Sequence, residues 1–146
     1  MKRYLFDTNV YSLIFSETIP EKWIRYWKEV RSGRKRLIVF EMLISEIFYK
    51  NSRYYGFKTV REKLEGIKYL PTLEITKISD TDAFQAAEYM VSLHRFGLSL
   101  VNSYILTIAQ RDRARIITTD GGIKKAGKKI GLDIDYLPFK SIKRSN

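Results

Sequence analysis

The sequence predicts an α/β fold, a three-layer α/β/α domain around a mainly parallel, four- or five-stranded sheet. Three observations carry this. Short apolar runs alternate along the chain with stretches of helical spacing. Most of those runs are apolar at consecutive positions, as in strands covered on both faces. The length of 146 residues, with 45% apolar and 14% aromatic side chains, suits one domain with a packed core.

The elements follow in order. Residues 3–6 form a short apolar run that stops at Asp7 and read as a strand. Residues 10–15 read as one or two helical turns. Pro20 suits the first turn of a helix, and Trp23, Tyr26, Trp27 and Val30 follow at helical spacing before Gly33 ends it. Residues 37–40 are a second strand. Residues 42–49 return to helical spacing, with Glu46 set among Leu43, Ile47 and other apolar neighbours. A basic amphipathic helix spans 57–70, and Pro71 stops it. Residues 73–78 read as a third strand. Ser79 caps the next helix, with Asp82 three positions on, and Ala83, Ala86, Ala87, Met90 and Val91 are expected on its inner face. Gly97 breaks that helix. Another covers 101–111 with Ile105, Ile108 and Ala109 inward. A fourth strand runs over 115–119 to Asp120, then a Gly121-Gly122 turn with exposed Lys124 and Lys125, and a fifth strand over 134–137. The domain is expected over residues 1–138, with a basic tail at 139–146.

Composition narrows the chemistry. The chain has no Cys and one His, which excludes disulfides, thiolate zinc sites and a Cys nucleophile. Catalysis would fall to carboxylates and hydroxyls, and a metal site would use hard oxygen ligands of the kind that suit Mg²⁺ or Mn²⁺. Lys and Arg number 27 against 16 Asp and Glu, a net charge of +11, which points to a polyanionic partner. The charge clusters: 22–36 holds seven basic residues and one acid, and 124–146 holds seven and two. No apolar run approaches the roughly 18–20 residues of a membrane span, and the four-residue apolar stretch near the N-terminus is too short for a signal sequence. The expected location is the cytoplasm, with no membrane association.

In open α/β sheets ligands bind beyond the carboxyl ends of the strands. Asp7 and Asp120 stand there. Either could instead be a helix cap. Glu46 lies in an apolar stretch where charge is costly unless paired. Three acids converging on one cleft would repel one another, and a divalent cation would relieve this. In a basic protein, such a metal site suggests hydrolysis of phosphodiesters. His94 reads as a half-buried histidine on the inner face of its helix. Trp23 and Trp27 read as core or interface. Asp80, Asp82 and Glu88 read as a solvated helix start, and Asp133 and Asp135 as surface charges.

These residues carry a resemblance. Asp7-Thr8-Asn9 after a short strand looks like the opening of a PIN domain. Ser45-Glu46 is similar to that family's internal glutamate, residues 97–109 to its third motif, and Ile116-Ile117-Thr118-Thr119-Asp120 to its fourth. The match in order and spacing covers about residues 3–137. The size resembles the free-standing toxins of VapBC-type toxin–antitoxin pairs, which are PIN-domain ribonucleases. The resemblance implies a metal held by Asp7, Glu46, Asn102 and Asp120, with Asn9 and Thr118 orienting the carboxylates through hydrogen bonds. It also implies RNA as substrate, a cognate antitoxin and a homodimer, for which Trp23, Trp27, Phe48 and Tyr49 would suit the interface. The chain departs from the family at Asn102, where an aspartate is usual. Three readings of that position stand at this level: a substitution made to inactivate a toxic protein, a natural tolerance, or a degenerate module that binds RNA or protein without cleaving. A nuclease of repair or maturation is a further alternative, which the small size disfavours.

Overall fold

A strand buried on both faces needs side chains that are apolar along its covered length, and residues 4–6, 37–39 and 116–117 meet that demand. A computed structural model describes residues 2–138. In it, Arg3–Phe6 form β1, Arg36–Val39 β2 and Arg115–Thr118 β4, all with inner residues almost fully excluded from solvent. The shorter Leu73–Ile75 (β3) and Ile134–Tyr136 (β5) are only half-buried. The five strands form one all-parallel sheet in the order β3-β2-β1-β4-β5. β1 is therefore the central strand, and its carboxyl end lies beside that of β4.

Seven helices complete the three layers among the described residues: α1 Thr8–Phe15, α2 Glu21–Arg31, α3 Glu41–Tyr55, α4 Phe57–Lys68, α5 Asp80–Ser92, α6 Leu100–Asp112 and α7 Gly121–Lys129. α3 packs on α1 and α4, and α6 on α5, α7 and β1. The core centres on Tyr4, Leu5, Phe6, Leu37, Ile38, Ile116 and Ile117.

The structure corrects several expectations. Helix α3 runs six residues past Tyr49, because the buried Asn51 donates back to the Ile47 carbonyl (2.9 Å) and Gly56, at φ 81°, ends the helix. Residues 121–122 are not a free turn: they open α7, which Asp120 caps and which Ile123 and Ala126 anchor in the core. The inner face of α5 is Asp82, Ala86 and Tyr89, continuing to Leu93; Val91 is exposed. The helix is rotated because Asp82, read as solvated, is buried against Arg111 at 2.6 Å. His94 is consequently exposed, in a 3-10 turn after α5. Trp23 is fully buried and supplies no interface. The expected tail at 139–146 lies outside the described residues.

Candidate active site

The site forms where β1 and β4 end side by side. The Asp7 N–H still belongs to the sheet, donating to the Ile117 carbonyl at 3.0 Å. Its side chain turns to cap α1, where Oδ1 accepts the Val10 N–H at 3.1 Å. Oδ2 accepts the Thr118 hydroxyl and the Thr119 N–H, the latter at 3.1 Å. Only 3% of Asp7 is exposed. Burial raises its carboxyl pKa to about 6, against the hydrogen bonds that lower it, and the nearby Asp120 adds to the rise.

Asp120 caps α7 in the same manner, with Oδ1 accepting the Ile123 N–H at 2.9 Å. Thr118 joins the two acids: its hydroxyl donates to Asp7 and accepts the Asp120 N–H at 2.9 Å. Asn102 reaches the pair from the first turn of α6, which Ser99 caps, and its Nδ2 donates to Asp120 Oδ2 at 3.5 Å. Gly122 permits this arrangement. A Cβ there would stand 2.4 Å from the Phe96 carbonyl oxygen and 3.0 Å from Asp120 Oδ1.

Two of the residues singled out in the sequence connect less directly. Glu46, on α3, accepts the Thr8 hydroxyl and lies 3.9 Å from Lys50 Nζ. Asn9 donates to the Thr119 hydroxyl at 3.1 Å, not to a carboxylate. Asp7, Thr118, Asp120 and Asn102 thus form one hydrogen-bonded chain; Asn9 joins it through Thr119, and Glu46 is bonded to Thr8, the neighbour of Asp7 in sequence, and not to the chain itself. Among the described residues no three His, Cys, Asp or Glu side chains gather into a cluster that could hold a metal ion. Nor does any Lys, Arg or His among them pair with Asp7 or Asp120. Two coupled carboxylates with acceptor capacity left and no protein cation beside them are a donor set that fits a hard divalent ion.

Sequence reasoning overlooked Thr8, Thr119 and Lys50. Thr8 and Lys50 had a signal: one follows the first aspartate, and the other stands four residues after Glu46 on the same helical face. Thr119 had none, because its partners, Asp7 through its N–H and Asn9 through its hydroxyl, lie on the far side of the chain in sequence. The structure places part of one basic cluster away from the aspartates. Residues 33–36 lead into the start of β2, at the opposite end of the sheet from both aspartates.

Residues 4–129 match the model of the PIN domain. The chain belongs to the PIN domain family. Members of this family are generally nucleases that use divalent metals. Solved structures of PIN proteins share the fold over nearly the whole chain. VapBC2 from Rickettsia felis, bound to a DNA fragment from its promoter, aligns at a TM-score of 0.68 and 18% identity, covering 92% of this chain and 98% of that one. DNA-bound VapBC from Salmonella typhimurium gives 0.68 and 17%, over 93% and 98%. The sarcin-ricin loop cleaving toxin VapC20 of Mycobacterium tuberculosis gives 0.70 and 14%, over 85% and 95%. At such identities the likeness is one of fold. Comparison with curated protein sequences gives no match. No helix among the described residues is long and apolar enough to cross a membrane.

Proposed function

We propose that this PIN protein is the toxin of a toxin–antitoxin pair, a Mg²⁺- or Mn²⁺-dependent endoribonuclease acting in the cytoplasm. The observation that carries the reading is the Asp7–Asp120 pair: two coupled carboxylates, one of them buried, at adjacent strand ends of a PIN fold and without a protein cation. Asp7 and Asp120 would hold the ion and Asn102 would offer its amide oxygen, while Glu46, bonded to Thr8 on the flank, is the further acid that the PIN resemblance assigns to the site. The chemistry such an ion supplies is screening of the phosphate charge and activation of a water. The protein's own part is preorganisation. Thr118 and the Val10 and Thr119 N–H groups hold the Asp7 carboxylate in one orientation. The start of α7 fixes Asp120 in the same way. Lys50 keeps positive charge beside Glu46. The partners are RNA, a second copy of the chain, and an antitoxin, the last because structures with this fold include VapBC complexes.

Asn102 favours a second reading, a PIN-like module that binds RNA or protein without cleaving. Its Nδ2 points at Asp120, where an amide donor takes the place a cation would fill. Cleavage of a fluorescent RNA with Mg²⁺ or Mn²⁺ separates the readings. Asn102→Asp restores a negative charge in nearly the same shape and should cleave at least tenfold faster than the unmodified chain. Asn102→Asp combined with Asp7→Asn should return to little or nothing. If neither the unmodified chain nor Asn102→Asp cleaves, the binding-module reading holds.

A further inference from the structure

A cleft of about 640 Å³ opens between α1 and α3 and is lined by Asn9, Ser12, Lys50, Arg53, Tyr54 and Tyr55, with a few small neighbours. It starts at the site. Asn9 is two residues from Asp7 and is bonded to Thr119, and Lys50 is the residue paired with Glu46. Two cations line it and no acid does. Arg53 has no ion-pair partner among the described residues, unlike Arg3, Arg25, Arg36, Arg111 and Arg115. Tyr54 is 83% exposed. Nothing in the fold explains a large aromatic ring standing in solvent beside an unpaired guanidinium.

Resting on the nuclease reading above, we propose that this cleft is the track for single-stranded RNA on one side of the scissile phosphate. Arg53 and Lys50 hold backbone phosphates, and Tyr54 stacks an unpaired base. Hydroxyl and amide groups of Ser12 and Asn9 face the sugar edge. The chemistry selects single strands. A free aromatic face binds an unstacked base of any identity, and cations spaced one helical turn apart follow a flexible backbone. A duplex keeps its bases stacked on one another and offers nothing to Tyr54.

The test is fluorescence anisotropy of a labelled 12-nucleotide single-stranded RNA, titrated with the full chain in chelator so that no cleavage occurs. Arg53 and Tyr54 are exposed, so their substitutions should leave the fold intact, checked by thermal unfolding. Arg53→Ala should weaken binding and reduce the slope of log K against log salt by about 0.7. Tyr54→Ala should weaken it roughly tenfold or more with the slope unchanged, and Tyr54→Phe should restore it. Arg34→Ala, at the far end of the sheet, should bind as the unmodified chain does. An RNA duplex of equal length should be indifferent to Tyr54→Ala. Equal affinity and slope in all variants would overturn the proposal and leave the cleft to a protein segment, as would losses that fall on Arg34 instead. The outcome is separable from the nuclease reading. If Asn102→Asp cleaves and its Arg53→Ala and Tyr54→Ala derivatives bind and cleave equally well, the track fails and the nuclease stands. If binding falls as expected while no variant cleaves, the track stands and the nuclease fails.

Discussion

Asp7 and Asp82 are alike in almost everything but charge balance. Both stand at the start of a helix, both are nearly excluded from solvent (3% and 5%), and both accept a backbone N–H. Asp82 closes a reciprocal cap with Ser79 and meets Arg111 Nη1 at 2.6 Å. Burial pushes its carboxyl up, but the Ser79 hydrogen bonds and the Arg111 guanidinium outweigh that and hold it below the ordinary range. Asp7 has comparable hydrogen bonds and no guanidinium, and its pKa rises to about 6. Capping alone therefore does not neutralise a buried carboxylate. Where the fold supplies its own cation the acid serves stability. Where it withholds one, the acid stays buried with its proton held to a higher pH, and on the reading proposed above it would take its cation from outside.

The largest expected effect breaks the satisfied side of this contrast. Arg111→Met leaves Asp82 buried without its partner and removes the links from Arg111 to the Lys77 carbonyl and the Thr76 hydroxyl. Urea unfolding at neutral pH should show a loss of about 3 kcal/mol. On the other side, millimolar Mn²⁺ should stabilise the unmodified chain. At ten times the dissociation constant the gain is about 1.4 kcal/mol, read as a rise of a few degrees in Tm. Asp7→Ala should abolish that shift, and Arg111→Met should keep it.

Smaller in size, the pH dependence sharpens the contrast because the two aspartates act with opposite sign. Folded Asp7 holds its proton up to about pH 6, whereas the unfolded chain releases it near 3.8. The folded state binds more protons in between, so stability falls as pH rises from about 4 to 6. Unfolding in chelator should show Asp7→Asn without this fall. The full displacement corresponds to roughly 3 kcal/mol, but Asn cannot accept both the Val10 and Thr119 N–H groups while also facing Thr118. A net gain of about 1 kcal/mol is expected at pH 7.5. Asp82, with its pKa depressed, stabilises above about 3.8, and that contribution is lost as pH falls below it. Asp82→Asn should flatten only this acid limb. Tyr11→Phe should have the smallest effect. The hydroxyl is buried with no partner among the described residues, so its removal should stabilise by about 0.5–1 kcal/mol and leave the Mn²⁺ shift untouched.

What the sequence made legible follows from how each residue acts. β1, β2 and β4 carry continuous apolar runs, and the acids that follow β1 and β4 were readable as the ends of those runs, although the sequence did not show that both also cap the next helix. Thr118 was readable two positions before Asp120. α7 was hidden because its first turn is Gly121-Gly122 and four of its nine residues are lysines, so that only Ile123 and Ala126 carry the buried stripe. Asp82 misled because its partner is 29 residues away on α6. Arg53 was hidden for another reason, since a charge count cannot tell which end of a sheet a basic residue reaches.

The order of the sheet has a consequence for synthesis. β1 sits at the centre, but one of its neighbours, β4, follows more than a hundred residues later, and Asp7 takes its hydrogen bonds from Thr118 and Thr119 across a separation of 111 residues. At about 5–20 residues per second, the ribosome needs roughly 6–20 s to deliver that partner. Until then β1 has an open edge, and its aspartate is an ordinary solvated acid with no Asp120 beside it. The Asp7–Asp120 pair is therefore completed only after β4 has been made, and no shorter nascent chain carries the proposed site.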